Sequence, residues 1–219
     1  MKKTIILSLL AAVIPFVVGG CATKAHYIQT GGSESLVNVN QINIQDFILA
    51  ANTATSDLLA SGALDKVATD IRAQHGVAAM GLAADLSSGA GAKAVAAACG
   101  DVDILVNSAG AIPRGTLAEI DEDRWRAAWD LKLFGTINLT REIYRAMCER
   151  GRGVIVNIAG IAGERPDAYY IAGSCANAAL IMFSRSLGGD SIRYGVRVLA
   201  VNPGPVETEK LIADTQRLA

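Results

Sequence analysis

Two short turns carry the residues best placed to hold a ligand. Asn107-Ser108-Ala109-Gly110 follows the apolar run Asp103-Ile104-Leu105-Val106, and Asn202-Pro203-Gly204-Pro205 follows Val196-Arg197-Val198-Leu199-Ala200-Val201. Glycine, asparagine and proline turn a chain sharply, and loops held by regular elements are where binding residues concentrate. A third run, Val77 to Ala84, ends at Asp85-Leu86 and adds a carboxylate beside such a tip. Thiol and imidazole chemistry has little support. The cysteines stand at 21, 99, 148 and 175 without Cys-x-x-Cys spacing, and the histidines are His26 and His75. Neither a disulfide framework nor a His- or Cys-based metal site follows from that distribution.

The elements that must position these turns follow from periodicity. Val77 to Ala84, Asp103 to Val106, Val154 to Ile158 and Val196 to Val201 read as buried strands. Between them lie helical stretches: the end of one over Val67 to Gln74, another over Ala90 to Cys99, and a third over Asn177 to Leu187. A long helix over 121–149 would carry Trp125, Trp129 and Ile137 on its apolar side. Ile44, Phe47, Ile48, Ala51, Thr55 and Leu58 also fall at helical spacing and predict a helix that Gly62 stops. Short strands alternating with longer helices imply right-handed βαβ units on a parallel sheet. The expected fold is therefore α/β, a three-layer Rossmann-like sheet with its ligand beyond the carboxyl ends of the strands.

The chain has 219 residues, 51% apolar and 19% charged, enough for one medium α/β domain with an appendage. With 20 basic against 21 acidic side chains there is no basic field for phosphate contacts, which excludes nucleic acid as a partner. Disorder of the bulk is excluded by the same composition.

The N-terminus has a different character. Met1-Lys2-Lys3 followed by the apolar stretch Thr4 to Val18 predicts a signal peptide over 1–20. Val18-Gly19-Gly20-Cys21 resembles a bacterial lipobox, which implies lipidation at Cys21, and Ala22 resembles the outer-membrane sorting choice. Residues 22–43 read as polar loop with a short strand at Leu36 to Asn40. From Tyr27 to about Lys66 the chain resembles the penicillin-binding-protein activator lipoproteins. The resemblance rests on Gly31-Gly32, Asn40-Gln41-Ile42-Asn43-Ile44, Asp46-Phe47 and Leu58-Leu59-Ala60-Ser61-Gly62. It implies a lipoprotein segment over 21–66, in the outer membrane or periplasm, touching the membrane only through the lipid and activating a peptidoglycan synthase.

From about residue 67 to 215 the chain resembles the short-chain dehydrogenase/reductase family, giving a third segment over 67–219. Asp85 resembles the family's adenine-side aspartate, and Asn107-Ser108-Ala109-Gly110 its Asn-Asn-Ala-Gly turn. Asn202-Pro203-Gly204-Pro205-Val206-Glu207-Thr208 resembles its nicotinamide-side loop. The resemblance implies NAD or NADP as cofactor, held by Asp85, Leu86, Asn107, Ala109, Gly110, Pro203, Gly204 and Val206. It further implies a small carbonyl or alcohol substrate and a cytoplasmic setting for this part, and it leaves a homo-oligomer open.

Catalysis in that family uses a tyrosine made acidic by a lysine, a serine on the substrate carbonyl, and an asparagine supporting a water. A phenol with its ordinary pKa near 10 transfers protons poorly at neutral pH unless a cation lowers it. Counted back from Ser184-Arg185-Ser186-Leu187, Asn177 stands at the lysine position, Gly173 at the tyrosine and Gly160 at the serine. Read back from Gly135, Lys132 stands at the asparagine. A register slipped by three makes Tyr170 the acid, with Ser174 at the lysine position and Lys132 as a displaced cation. Tyr170, Lys132 and Ser174 are thus the catalytic expectation, with a rim tyrosine packed on the sheet edge as the other reading of Tyr170.

No Gly-x-x-x-Gly-x-Gly turn occurs before Val77, so the sheet is expected to be incomplete at its N-terminal side and its redox function impaired. Closure would come from an improvised strand within 4–18 or 35–42, beside the strand at 103–106. A join of two proteins near residues 65–68 accounts for the conflict of compartments.

Overall fold

The computed structural model describes residues 4–9, 46–51 and 63–204. Six parallel strands form one sheet: β1 (Thr4–Leu9), β2 (Asp46–Ala51), β3 (Ala78–Ala83), β4 (Ile104–Asn107), β5 (Gly153–Ile158) and β6 (Val196–Val201). Their spatial order is β3-β2-β1-β4-β5-β6. The expected N-terminal strand is present: β1 pairs with β4 from Ile5 opposite Ile104 to Ser8 opposite Asn107. Its other edge pairs with β2, from Thr4 opposite Asp46 to Leu9 opposite Ala51. Residues read as part of a leader therefore form a central strand. The stretch 35–42, Cys21 and Val206 lie outside the described residues.

The helix expected over Ile44 to Leu58 is corrected where the structure describes it, because Asp46–Ala51 is strand β2. Phe47-Ile48-Leu49-Ala50-Ala51 is an unbroken apolar run. Such a run satisfies a helical spacing and a strand covered on both faces equally well. Parallel pairing to β1 and β3 decides between them.

Helices α1 (Ala63–His75), α2 (Gly89–Cys99), α3 (Glu122–Trp129), α4 (Gly135–Arg150) and α5 (Ile171–Ser191) connect these strands. Ser88 caps α2, its Oγ accepting from the Gly91 amide at 3.1 Å, and Asp121 caps α3 by accepting from the Arg124 amide at 2.8 Å. The single long helix expected over 121–149 is interrupted by a π turn, Asp130–Phe134. The wider turn sends Leu131, Lys132 and Leu133 inward together. Gly135 then begins α4 directly against the Leu86 carbonyl, where a Cβ would collide. Helix α5 starts at Ile171, earlier than Asn177, because Ala172, Gly173, Ser174 and Ala176 are small enough to bury its first turns.

The main core lies where α2 and α4 meet the sheet, with Val95, Leu105, Met147, Ile155 and Val196 inaccessible to solvent. A polar ladder runs beside it. Asn107 Nδ2 donates to Asn157 Oδ1 at 2.8 Å and to Thr140 Oγ1 at 3.0 Å, and Asn157 Nδ2 donates to Ser184 Oγ at 2.8 Å. These bonds tie β4 and β5 to α4 and α5 on one face. The unit β2–α1–β3 steps along the sheet in the opposite direction, which places α1 on the other face by the right-handed rule.

Two outcomes follow from this arrangement. A chain starting at Cys21 lacks the strand between β2 and β4 and should lose cooperative thermal unfolding in circular dichroism. Asn157→Ala removes the middle of the ladder and should cost about 1–3 kcal/mol in urea denaturation, the range for stranding buried polar partners.

Candidate functional site

The strand order reverses between β1 and β4, and open α/β sheets bind ligands in the crevice at that point, outside the carboxyl ends. Four tips arrive at that edge: Asp85-Leu86 after β3, Ser108 to Gly110 after β4, Ala159-Gly160 after β5, and Asn202 to Gly204 after β6. Leu86 and Ala109 are buried there, and the Leu86 carbonyl lies against Gly135. Asn107 turns its amide inward to the ladder, so its part in the site is structural support. Asp85 Oδ1 accepts from the Ser87 amide at 3.0 Å and the Ser87 hydroxyl at 2.6 Å, which fixes the carboxylate at the tip of β3. The tips of β5 and β6 are sewn together: the Ile161 amide donates to Pro203 O at 3.0 Å, and Asn202 Nδ2 to Glu164 Oε1 at 3.1 Å. Among the described residues, a Cβ on Gly204 would meet nothing within 4 Å.

Tyr170 sits immediately before α5, and its ring lies over Gly173, in the space a side chain at 173 would enter. The Gly115 amide donates to Tyr169 O at 2.8 Å, drawing the loop after β4 against the loop before α5. That contact brings the Arg114 guanidinium over the Tyr170 ring, 5.6 Å from its centroid. Burial raises the Tyr170 pKa above the usual phenol value, and Arg114 offsets part of the rise. The cation beside Tyr170 is therefore Arg114, a residue the sequence reading missed. Its signal was weak, the first cation after the turn at 107–110. Ser174 Oγ accepts from the Asp167 amide at 3.1 Å and donates to the Asp167 carbonyl at 3.4 Å, holding the loop that leads to Tyr170.

Lys132 lies elsewhere on the same edge. Its Nζ donates to Ala159 O at 3.2 Å and to Ile158 O at 3.5 Å, and its stem passes under Gly110. Burial lowers its pKa from 10.5 to about 8. Asn177 also turns to this strand end. A Cβ on Gly160 would stand 3.0 Å from Asn177 Nδ2, and Asn177 Oδ1 is buried without a hydrogen-bond donor among the described residues. Lys132 and Asn177 thus converge on the tip of β5, while Tyr170, Arg114 and Ser174 form a second group. No described cluster of His, Cys, Asp or Glu could hold a metal ion. Among the described residues no helix is long and apolar enough to cross a membrane.

Comparison with known proteins identifies the family. The family model described as short chain dehydrogenase matches residues 49–218, and the chain belongs to that family. It is 34% identical over 114 residues to an acetoacetyl-CoA reductase of Allochromatium vinosum, covering 52% of this chain and 46% of that protein. It is 36% identical over 141 residues to a putative ketoacyl reductase of Streptomyces coelicolor, covering 62% and 54%. The chain spans about half the length of these curated relatives. Among solved structures it resembles L-sorbose reductase from Gluconobacter frateurii complexed with NADPH and L-sorbose. There the TM-score is 0.70 at 29% identity, with 79% of this chain and 65% of that chain covered.

Lys132 makes stability depend on pH in a defined direction. The unfolded chain keeps this lysine protonated to near 10.5, whereas the folded chain releases the proton near 8. Burying the charge therefore costs stability below pH 8, on the order of 3 kcal/mol from the shift. The cost fades as pH rises toward 10.5. Lys132→Met, which carries no charge, should unfold at higher urea than the parent at pH 7, with the gap narrowing by pH 10.

Proposed function

We propose that this short chain dehydrogenase serves nicotinamide-linked interconversion of a small carbonyl compound and its alcohol, with a weakened proton relay. The observation that supports the reading most is the gathering of Asp85-Leu86, Asn107 to Gly110 and Asn202 to Gly204 at one sheet edge, astride the point where strand order reverses. The carbonyl class comes from the family and from the reductases this chain resembles.

The residues fit NAD or NADP at its two ends. Asp85 and Leu86 would meet the adenine side, Pro203 and Gly204 would line the nicotinamide side, and the turn at Ala109-Gly110 would hold the cofactor as well. The middle fits less well. Leu10-Ala11-Ala12-Val13-Ile14 follows β1 without a glycine, so the sequence lacks the turn that lets backbone amides approach a pyrophosphate. Affinity should therefore be low. When bound, the nicotinamide supplies or accepts the hydride.

The proton must come from the chain. Gly160, Gly173 and Asn177 place no hydroxyl and no ammonium at the serine, tyrosine and lysine positions. Tyr170 is the donor in this reading, with its ring occupying the space above Gly173. Its raised pKa keeps the phenol protonated but makes it a weaker acid than an ordinary phenol, so donation to an oxygen gaining negative charge is slow, which is the sense in which the relay is weakened. Ser174 holds the loop before Tyr170, and Lys132 contributes positive charge at the end of β5. A lipid-anchored role through Cys21 would require β1 to leave the sheet after cleavage, which argues against that alternative.

Fluorescence titration of the full chain with NADH and NADPH tests the binding step, with a dissociation constant of roughly 1 mM expected for at least one of them, about 4 kcal/mol of binding. Tyr170→Phe should leave that constant unchanged and slow reduction of an acetoacetyl ester about tenfold or more. Absence of binding for both nucleotides at several times that concentration would overturn the reading.

A further inference from the structure

Lys132 is a buried lysine whose partners among the described residues are main-chain carbonyls, with no carboxylate among those residues against it. A neutral amine has two N–H bonds and one lone pair. The Ile158 and Ala159 carbonyls can accept both N–H bonds, which directs the lone pair away from the strand end. Holding the stem under Gly110 restricts how the amine can turn. Burial favours this neutral form, and half of the lysine carries it near pH 8. At the tip of β5, Asn177 offers an amide whose Oδ1 has no hydrogen-bond partner among the described residues and whose Nδ2 faces Gly160, a residue without a side chain. Lys132 and Asn177 turn to the same strand end, and a positioned nucleophile together with a group that both donates and accepts hydrogen bonds is what covalent catalysis at a carbonyl uses.

We propose that Lys132 condenses with a small aldehyde or ketone to form an imine at the carboxyl edge of the sheet, without any nicotinamide. The lone pair of Nζ attacks the carbonyl carbon, a C–N bond forms, and the π electrons move to oxygen, which takes up a proton as nitrogen gives up one of its two. The resulting carbinolamine presents a hydroxyl that can donate to Asn177 Oδ1 and accept from its Nδ2. Protonation of that hydroxyl breaks the C–O bond and releases water, and nitrogen gives up its remaining proton. One amine and one carbonyl become one imine and one water, with nothing oxidised or reduced. The inference takes its carbonyl ligand class from the function proposed above but uses different side chains.

Reductive trapping tests it on the full chain. The protein is incubated with acetone and sodium cyanoborohydride at pH 8, without nicotinamide, then digested and mapped by mass spectrometry. The expected result is an isopropyl adduct on Lys132 that forms at least tenfold faster than on the exposed Lys66 and Lys93. Lys132→Arg keeps the cation but cannot form an imine and should abolish the selective adduct, and Lys132→Met should do the same. Equal labelling of Lys66, Lys93 and Lys132, or an unmodified Lys132 in folded protein, would overturn the proposal. The outcome is separable from the nicotinamide titration: a chain that binds neither nucleotide yet traps acetone at Lys132 leaves this inference standing and removes the other.

Discussion

The hydrogen bond from Asn107 to Asn157, 2.8 Å across the buried middle of the sheet, is the interaction on which the rest of the site depends. The two residues are register partners at the carboxyl ends of β4 and β5. A slip of one residue would turn every side chain on one strand to the opposite face. It would also leave two buried amides without partners, at a cost of about 1–3 kcal/mol each. With the register held, Ser108 to Gly110 and Ala159-Gly160 emerge level with each other. Lys132 can then lie under the first tip and bond to the second. Thr140 and Ser184 extend the same constraint to α4 and α5, so both helices start at heights set by the ladder.

That scaffold supports an edge whose chemistry departs from the family pattern in a consistent way. In the function proposed here, a relay of serine, tyrosine and lysine would need three side chains aimed at one point, and the positions that the ungapped register assigns to them hold Gly160, Gly173 and Asn177. The space is not left empty. The Tyr170 ring covers Gly173, and Asn177 turns to Gly160. Positive charge is split between Arg114 beside the phenol and Lys132 at the tip of β5. Each cation serves a different group, so Tyr170 gains only a partial offset to its burial while Lys132 pays its desolvation alone. The two cations therefore stand at two separate places on the edge, Arg114 over Tyr170 and Lys132 at the tip of β5.

The strands and turns from Ala78 onward were legible because each signal was local and redundant. A β-rich run ended at a turn residue, and the next helix began at a cap such as Ser88 or Asp121. The π turn was not legible, since nothing in Asp130-Leu131-Lys132-Leu133-Phe134 encodes a widened turn without knowledge of where Leu86 will lie. The start of α5 was hidden for a similar reason. Ala172-Gly173-Ser174 has weak helical periodicity and is helical through burial against the sheet and loops. Arg114 was not legible, because its approach to Tyr170 depends on a hydrogen bond between loops more than fifty residues apart in sequence, Gly115 to Tyr169.

The N-terminal run shows why one physical property can support two structural readings. An apolar segment suited to a membrane or a secretion channel is also suited to the middle of a parallel sheet, where both faces are covered. Hydropathy measures only transfer out of water, and both environments provide it. What separates them is the backbone. A central strand satisfies its amides and carbonyls through neighbours on both edges, as β1 does with β2 and β4, whereas a leader must satisfy them within itself. The pairing is therefore the more discriminating observation, and it concerns the edges of β1 rather than its side chains. A gap between β2 and β4 would expose two rows of unpaired backbone groups in the middle of a buried sheet. Filling it satisfies both rows at once, which is why an apolar segment lacking a following glycine turn can still complete the sheet.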